Sequence, residues 1–221
     1  MTMIELLVVI SIIILLVTML LPAYQKVKDS VYATRSKARI TELSIGASAY
    51  SQASSGLYPG QLYPNMLTGG GGPYTGTQWL AACLFGIPYS RLSLAFNPAG
   101  HPDANSLFAP YVSGTGGDLI QAGTGPRSWS IWDKFPRGVP MSFCYYPARL
   151  GATGLGQFVE ADNTAYTSGT AWLGGSFNAF ITDQRLTTTP PTPYNAGSFL
   201  LFGPSIDGKY GSLDDGKNFG S

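Results

Sequence analysis

The first 25 residues, MTMIELLVVISIIILLVTMLLPAYQ, contain one charged side chain, Glu5. Residues 6–25 carry no charge at neutral pH. As a helix rising ~1.5 Å per residue, that run is ~30 Å long, about the hydrocarbon thickness of a bilayer. It has no polar face to turn toward water, so it needs lipid or other protein around it. A carboxylate near one end costs roughly 2–3 kcal/mol or more in lipid and calls for a partner. The nearest side-chain cation, Lys26, lies at the far end of the run. The α-amino group of Met1 is close in sequence, and so is the amino terminus of an identical neighbouring chain.

An ordinary transmembrane anchor accounts for the apolar run but gives Glu5 no use. A secretory signal peptide has a basic leading region and a small-residue cleavage site, and this segment shows neither. The order Met1-Thr2-Met3-Ile4-Glu5-Leu6-Leu7-Val8-Val9-Ile10, with Pro22 further on, resembles the mature amino terminus of the type IV pilin superfamily. That superfamily includes type IV pili and the pseudopilins of type II secretion. The resemblance covers about the first 55 residues. Met1 stands where Phe is usual, and Ile14 where many pilins carry a helix-loosening Gly. With no basic leader ending in Gly ahead of it, the sequence is expected to be the processed form. The resemblance implies assembly through Met1, Glu5 and Pro22. It also implies a prepilin peptidase and inner-membrane machinery as partners, and leaves methylation of Met1 open.

Past Pro22, Tyr24, Val27, Val31, Ala38 and Ile45 form one stripe at heptad-like spacing, and Ile40, Leu43, Ala47 and Tyr50 form another. A helix over about 2–54 is predicted, kinked at Pro22 and capped by Gly56. The expected organisation has three parts. Residues 1–25 are an apolar helix, spanning the membrane before assembly and forming the filament core after it. Residues 26–56 are an amphipathic helix packed on the head, and residues 57–221 are a globular β-rich head. The fold class is α+β, with an antiparallel sheet against the second half of the helix.

In the head, a short helix is predicted over 77–85 and strands over 139–146, 156–160, 176–182 and 198–202. Gly69 to Gly72 mark a turn, and 88–136 reads as a long insertion. Gly and Pro account for 44 of the 221 residues, and only 11% are charged, against ~25% in typical soluble domains. The net charge of +1 makes no electrostatic case for nucleic acid as a partner. A small basic cluster, Lys26, Lys28, Arg35, Lys37 and Arg39, follows the apolar run. It reads as a solvated helix face or as a contact for lipid headgroups or acidic residues of a neighbour.

Cys83 and Cys144 make an even count, which in an exported chain points to a bridge; two buried free thiols are the other reading. Near the carboxyl end, Asp207, Asp214 and Asp215 lie among glycines. Carboxylates on such a loop suit Ca²⁺, although the spacing is not that of an EF-hand. The stretch resembles the carboxy-terminal calcium loop of major pseudopilins; the alternative is a solvated acidic turn. Catalytic signals are weak. The single histidine, His101, excludes a multi-histidine zinc site. No Gly-x-Ser-x-Gly elbow is present, and Gly151, Gly154 and Gly156 make no dinucleotide fingerprint.

The expected function is therefore that of a non-enzymatic structural subunit. It polymerises with itself into a helical, extracellular, type IV pilus-like filament, after residence in the inner-membrane bilayer. The alternatives are a periplasmic pseudopilus subunit of type II secretion and, from another class, a tip-located adhesin or glycan-binding pilin.

Overall fold

The computed structural model describes residues 2–61, 64–68, 74–85, 111–112, 119–121, 129–133, 141–204 and 206–220. Met1, the run Gly69 to Gly72, His101 and most of the expected 88–136 insertion lie outside the described residues.

One helix, α1 (Met3–Ala53), takes up nearly a quarter of the chain. Its start is set by Thr2 and Glu5, which cap each other. The Glu5 backbone N–H donates to the Thr2 hydroxyl, and the Thr2 N–H donates to the Glu5 carboxylate at 2.6 Å. Pro22 sits inside the helix. It removes one backbone donor, yet helical structure is unbroken on both sides of it. The helix stops where Ser55 and Gly56 adopt positive φ, and the Gly56 N–H donates to the Ser51 carbonyl at 2.8 Å.

Of the two stripes read past Pro22, only one packs. Ile40, Leu43, Ala47 and Tyr50 are buried together with Ser36, Gly46 and Ser51. Tyr24, Val27, Val31 and Ile45 stay exposed. Gly46 is needed because a Cβ there would meet Val112 Cγ2 at 2.3 Å. The second helix, α2 (Gly76–Leu84), matches the predicted one closely. It starts with a capping box between Thr75 and Gln78.

The strands make two small antiparallel sheets. One joins β1 (Leu119–Gln121), β2 (Trp129–Asp133) and β3 (Met141–Ser142). The other joins β4 (Cys144–Pro147), β5 (Phe199–Gly203) and β6 (Gly216–Lys217), with Cys144 opposite Phe202. Side chains alternate across a strand, and here they feed two cores. Tyr145, Phe199 and Leu201 join Leu43, Leu80 and Leu84 on the helix side. Cys144, Tyr146, Leu200 and Phe202 join Trp172, Phe177 and Phe180 on the other. The chain is thus α+β, with a long apolar amino-terminal helix and small antiparallel sheets.

Two predicted strands are not strands. Residues 156–160 run from the end of one 3₁₀ turn, Gly154–Gln157, through extended but unpaired Phe158 and Val159 to the start of another, Glu160–Asn163. Gly154 has φ +57°, which breaks extended backbone. Two short helices follow, α3 (Thr164–Thr167) and α4 (Phe177–Ile181). The second covers the other expected strand. The Ser176 hydroxyl accepts from the Ala179 N–H at 3.1 Å, and Phe177, Phe180 and Ile181 are buried at helical spacing.

The expected Cys83–Cys144 bridge is not formed; both thiols are free and buried. Cys83 points into the helix-side core and Cys144 into the opposite one, so the sheet lies between them. Burial pushes the Cys83 thiol up to about 12 and keeps it protonated.

Candidate functional site

Two regions carry the sequence-predicted site residues, and they lie at different places in the fold. The first is the amino-terminal end of α1. Sixteen large apolar side chains between Met3 and Leu21 are exposed, from 47% at Val9 to 84% at Met3. This helix is long and apolar enough to cross a membrane, which is compatible with membrane anchoring. Glu5 is its only charged residue before Lys26. The Glu5 carboxylate already accepts the Thr2 N–H, leaving its other lone pairs for a second donor. Pro22 lies at the far end of the apolar face, also exposed.

The second region is the loop between β5 and β6. Asp207, Asp214 and Asp215, spread over nine residues, converge so that one carboxylate oxygen from each lies within 4.8 Å of the others. The convergence is built by turns. The Lys209 N–H donates to Asp207 Oδ1 at 2.8 Å, and Ser212 Oγ bonds to both Asp214 (2.6 Å) and Asp215 (2.7 Å). The Gly211 N–H donates to Asp215 Oδ2 at 2.7 Å. Gly211 takes φ +77° directly against Trp172, where a Cβ would come within 2.6 Å of the ring. Tyr210 anchors the loop below by donating its hydroxyl to the Ser142 carbonyl at 2.6 Å.

Asp215 is the unusual group of the three. It is buried while Asp207 and Asp214 are exposed. Burial, opposed by its hydrogen bonds to Ser212 and Gly211, pushes its carboxyl from 3.8 up to about 7. The buried Cys144 thiol beside it is raised as well. A cation placed among the three carboxylates would favour the ionised form of Asp215, and the oxygen-only donor set suits a hard ion such as Ca²⁺.

Sequence reasoning missed a third polar constellation, which is structural. Arg149 pairs with the fully buried Asp162 at 2.5 Å, and the neighbouring Asn163 donates to the Tyr145 carbonyl at 2.7 Å. The 3₁₀ turn Glu160–Asn163 brings Asp162 back to Arg149, 13 residues earlier, a closure that the expected strand over 156–160 did not reach. Comparison with protein-family models, with curated proteins and with solved structures finds no match to this chain.

Proposed function

We propose that this chain is the structural subunit of a helical filament of the type IV pilus kind, built by self-association. The observation that supports it is the exposed apolar half of α1 with Glu5 as its one charge. Before assembly the bilayer solvates this half; afterwards the same half of neighbouring copies does. Fully burying a Leu, Ile or Val contributes about 1.5–3 kcal/mol. Half-burying sixteen such side chains would contribute on the order of 15 kcal/mol gross, enough to hold a filament together in water. In this reading Glu5 accepts from the α-amino group of Met1 in an adjacent copy and sets axial register. The head forms the outer surface. Electron microscopy of the protein purified from the cell surface tests this. Long filaments of one subunit are expected, and a protein found only as membrane-bound monomer sinks the reading.

A pseudopilus subunit is the second reading, and the convergence of Asp207, Asp214 and Asp215 is what favours it, since the loop resembles the pseudopilin calcium loop. The adhesin reading called for an aromatic groove open to solvent. Among the described residues Tyr145, Tyr146, Phe143 and Phe202 are fully buried in the head instead.

The calcium reading makes a signed prediction. Without a cation, folded Asp215 holds its proton to about 7 while the unfolded chain releases it near 3.8. Between those values the folded state binds more protons, so stability falls as pH rises, by at most ~1.4 kcal/mol per pH unit. In chelator, the full chain in detergent should melt higher at pH 5 than at pH 8. Millimolar calcium should raise the pH 8 melting temperature by mass action, and Asp215→Asn should remove both effects. Identical pH 8 melts with chelator and with calcium would leave the loop a solvated acidic turn.

A further inference from the structure

The head meets α1 from Ser36 onward. Just ahead of that contact, Tyr24, Val27, Lys28, Val31 and Arg35 share one helix face, linked by spacings of three, four and seven. All five are exposed, and Lys28 and Arg35 make no ion pair among the described residues. The loop between β5 and β6 carries the complement. Leu213 is 80% exposed, the most exposed large apolar side chain of the head among the described residues. It adjoins the exposed Asp214, whose carboxylate converges with that of the exposed Asp207. This loop leaves the sheet at the level of Ser36. The Ser36 hydroxyl donates to Asp133 Oδ2 at 2.5 Å. Gly203, the end of β5, faces that same oxygen, and Gly216, the start of β6, lies against Ser36 and Ile40. The other end of β5, Phe199, packs on Tyr58, past the end of α1. The loop therefore hangs from the end of the head nearest the apolar half of α1.

We propose that this loop docks on the exposed face of residues 24–35 in an adjacent copy of the chain. The contact rests on the filament reading, and the register of that reading places it. With Glu5 of one copy accepting from Met1 of the next, parallel helices are offset by four residues, ~6 Å. Position 36 of the first copy then stands level with position 32 of the second, between Lys28 and Arg35. Leu213 packs on Val27 and Val31, covering apolar surface on both sides. Asp207 and Asp214 pair with Lys28 and Arg35, whose long side chains close the ~10 Å between their positions. Charge selects this occupant over the nearby bilayer. An anionic lipid surface repels the two carboxylates, whereas the basic helix face attracts them.

Two variants produced in one cell test the contact. Val31→Cys on a tagged copy and Leu213→Cys on an untagged copy should form a mixed disulfide dimer, recognised by its size, under mild oxidation. Lys26→Cys, exposed on another side of the helix, should form little with the same partner. Cys83 and Cys144 are buried and take no part. Charge reversal is the second arm, counted without added calcium, which would compete for the same carboxylates. Lys28→Glu with Arg35→Glu should lower filament number by about tenfold. Adding Asp207→Lys with Asp214→Lys should restore most of it. Where wild-type filaments form, the docking is overturned by absence of the mixed dimer, by full filament number after reversal, or by no restoration. It is equally overturned if a lipid-borne photo-probe labels Leu213, which would give the loop to the membrane. Each of those results leaves the filament itself standing, whereas a wild type without filaments sinks both.

Discussion

Cells producing Glu5→Ala should retain the protein in the membrane but yield almost no filaments. The membrane half of this expectation follows from the exposed apolar run of α1, which the substitution leaves longer, not shorter. The filament half follows from the proposed pairing of Glu5 with the amino terminus of the adjacent copy. Removing one partner of a buried ion pair costs about 3–5 kcal/mol, because the other charge stays buried. Per subunit, that raises the concentration needed for growth by roughly a hundredfold or more. Glu5 also caps its own helix through the Thr2 N–H, and loss of a cap costs only ~1 kcal/mol. Glu5→Gln separates the two roles, because the amide oxygen still caps but carries no charge. Filament counts by electron microscopy should fall as far with Gln as with Ala. Normal filament numbers in the Gln variant would show that capping, not charge, is what position 5 supplies.

The head should be least tolerant at Gly76. This residue opens α2, and a Cβ there would lie 1.8 Å from the Tyr145 carbonyl oxygen and 3.1 Å from Asn163 Nδ2. The obstacle is the backbone of strand β4, already paired to β5, which cannot rotate aside as a side chain does. Asn163 donates to that same carbonyl, so pushing α2 away also strains the turn that carries the buried Asp162. Gly76→Ala should therefore destabilise the protein by about 3 kcal/mol, the upper end of overpacking. Gly156→Ala is the matched control, with nothing within 4 Å of its added Cβ. Thermal unfolding of the full chain in detergent should show a drop of several degrees for the first and almost none for the second. Equal melting temperatures would mean that α2 and β4 are not held as closely as the structure has them.

How much of this was legible beforehand varied with the distance over which each feature is decided. The start of α1 is written in Thr2 and Glu5, three residues apart, and its end in Gly56. The Thr75–Gln78 capping box does the same for α2. The segment around Phe177 was misread because its aromatic and aliphatic residues suit a strand, while the Ser176 cap and the spacing of Phe177, Phe180 and Ile181 suit a helix. In a run of five residues, burial against a partner decides between the two. The acidic loop was legible as composition. Its convergence was not, because it needs Gly211 pressed on Trp172 and Tyr210 tied to Ser142, contacts across tens of residues.

The sequence by itself determined the long helix, its caps, its uniformly apolar first half and the isolation of Glu5 within it. These depend on neighbours within four or five residues and on transfer from water, which act on any chain of that composition. The tertiary structure alone decided which of two apolar stripes on α1 meets the head. It also decided that Cys83 and Cys144 lie on opposite sides of a sheet, and that Asp215 is buried while Asp207 and Asp214 are not. The face on which Cys144 lies turns on the register of β4 against β5, where a shift of one residue would exchange the two faces of the sheet. No local pattern in either strand carries that information, because both faces are apolar, and only the packing of α1 and α2 on one side and Trp172, Phe177 and Phe180 on the other selects between them.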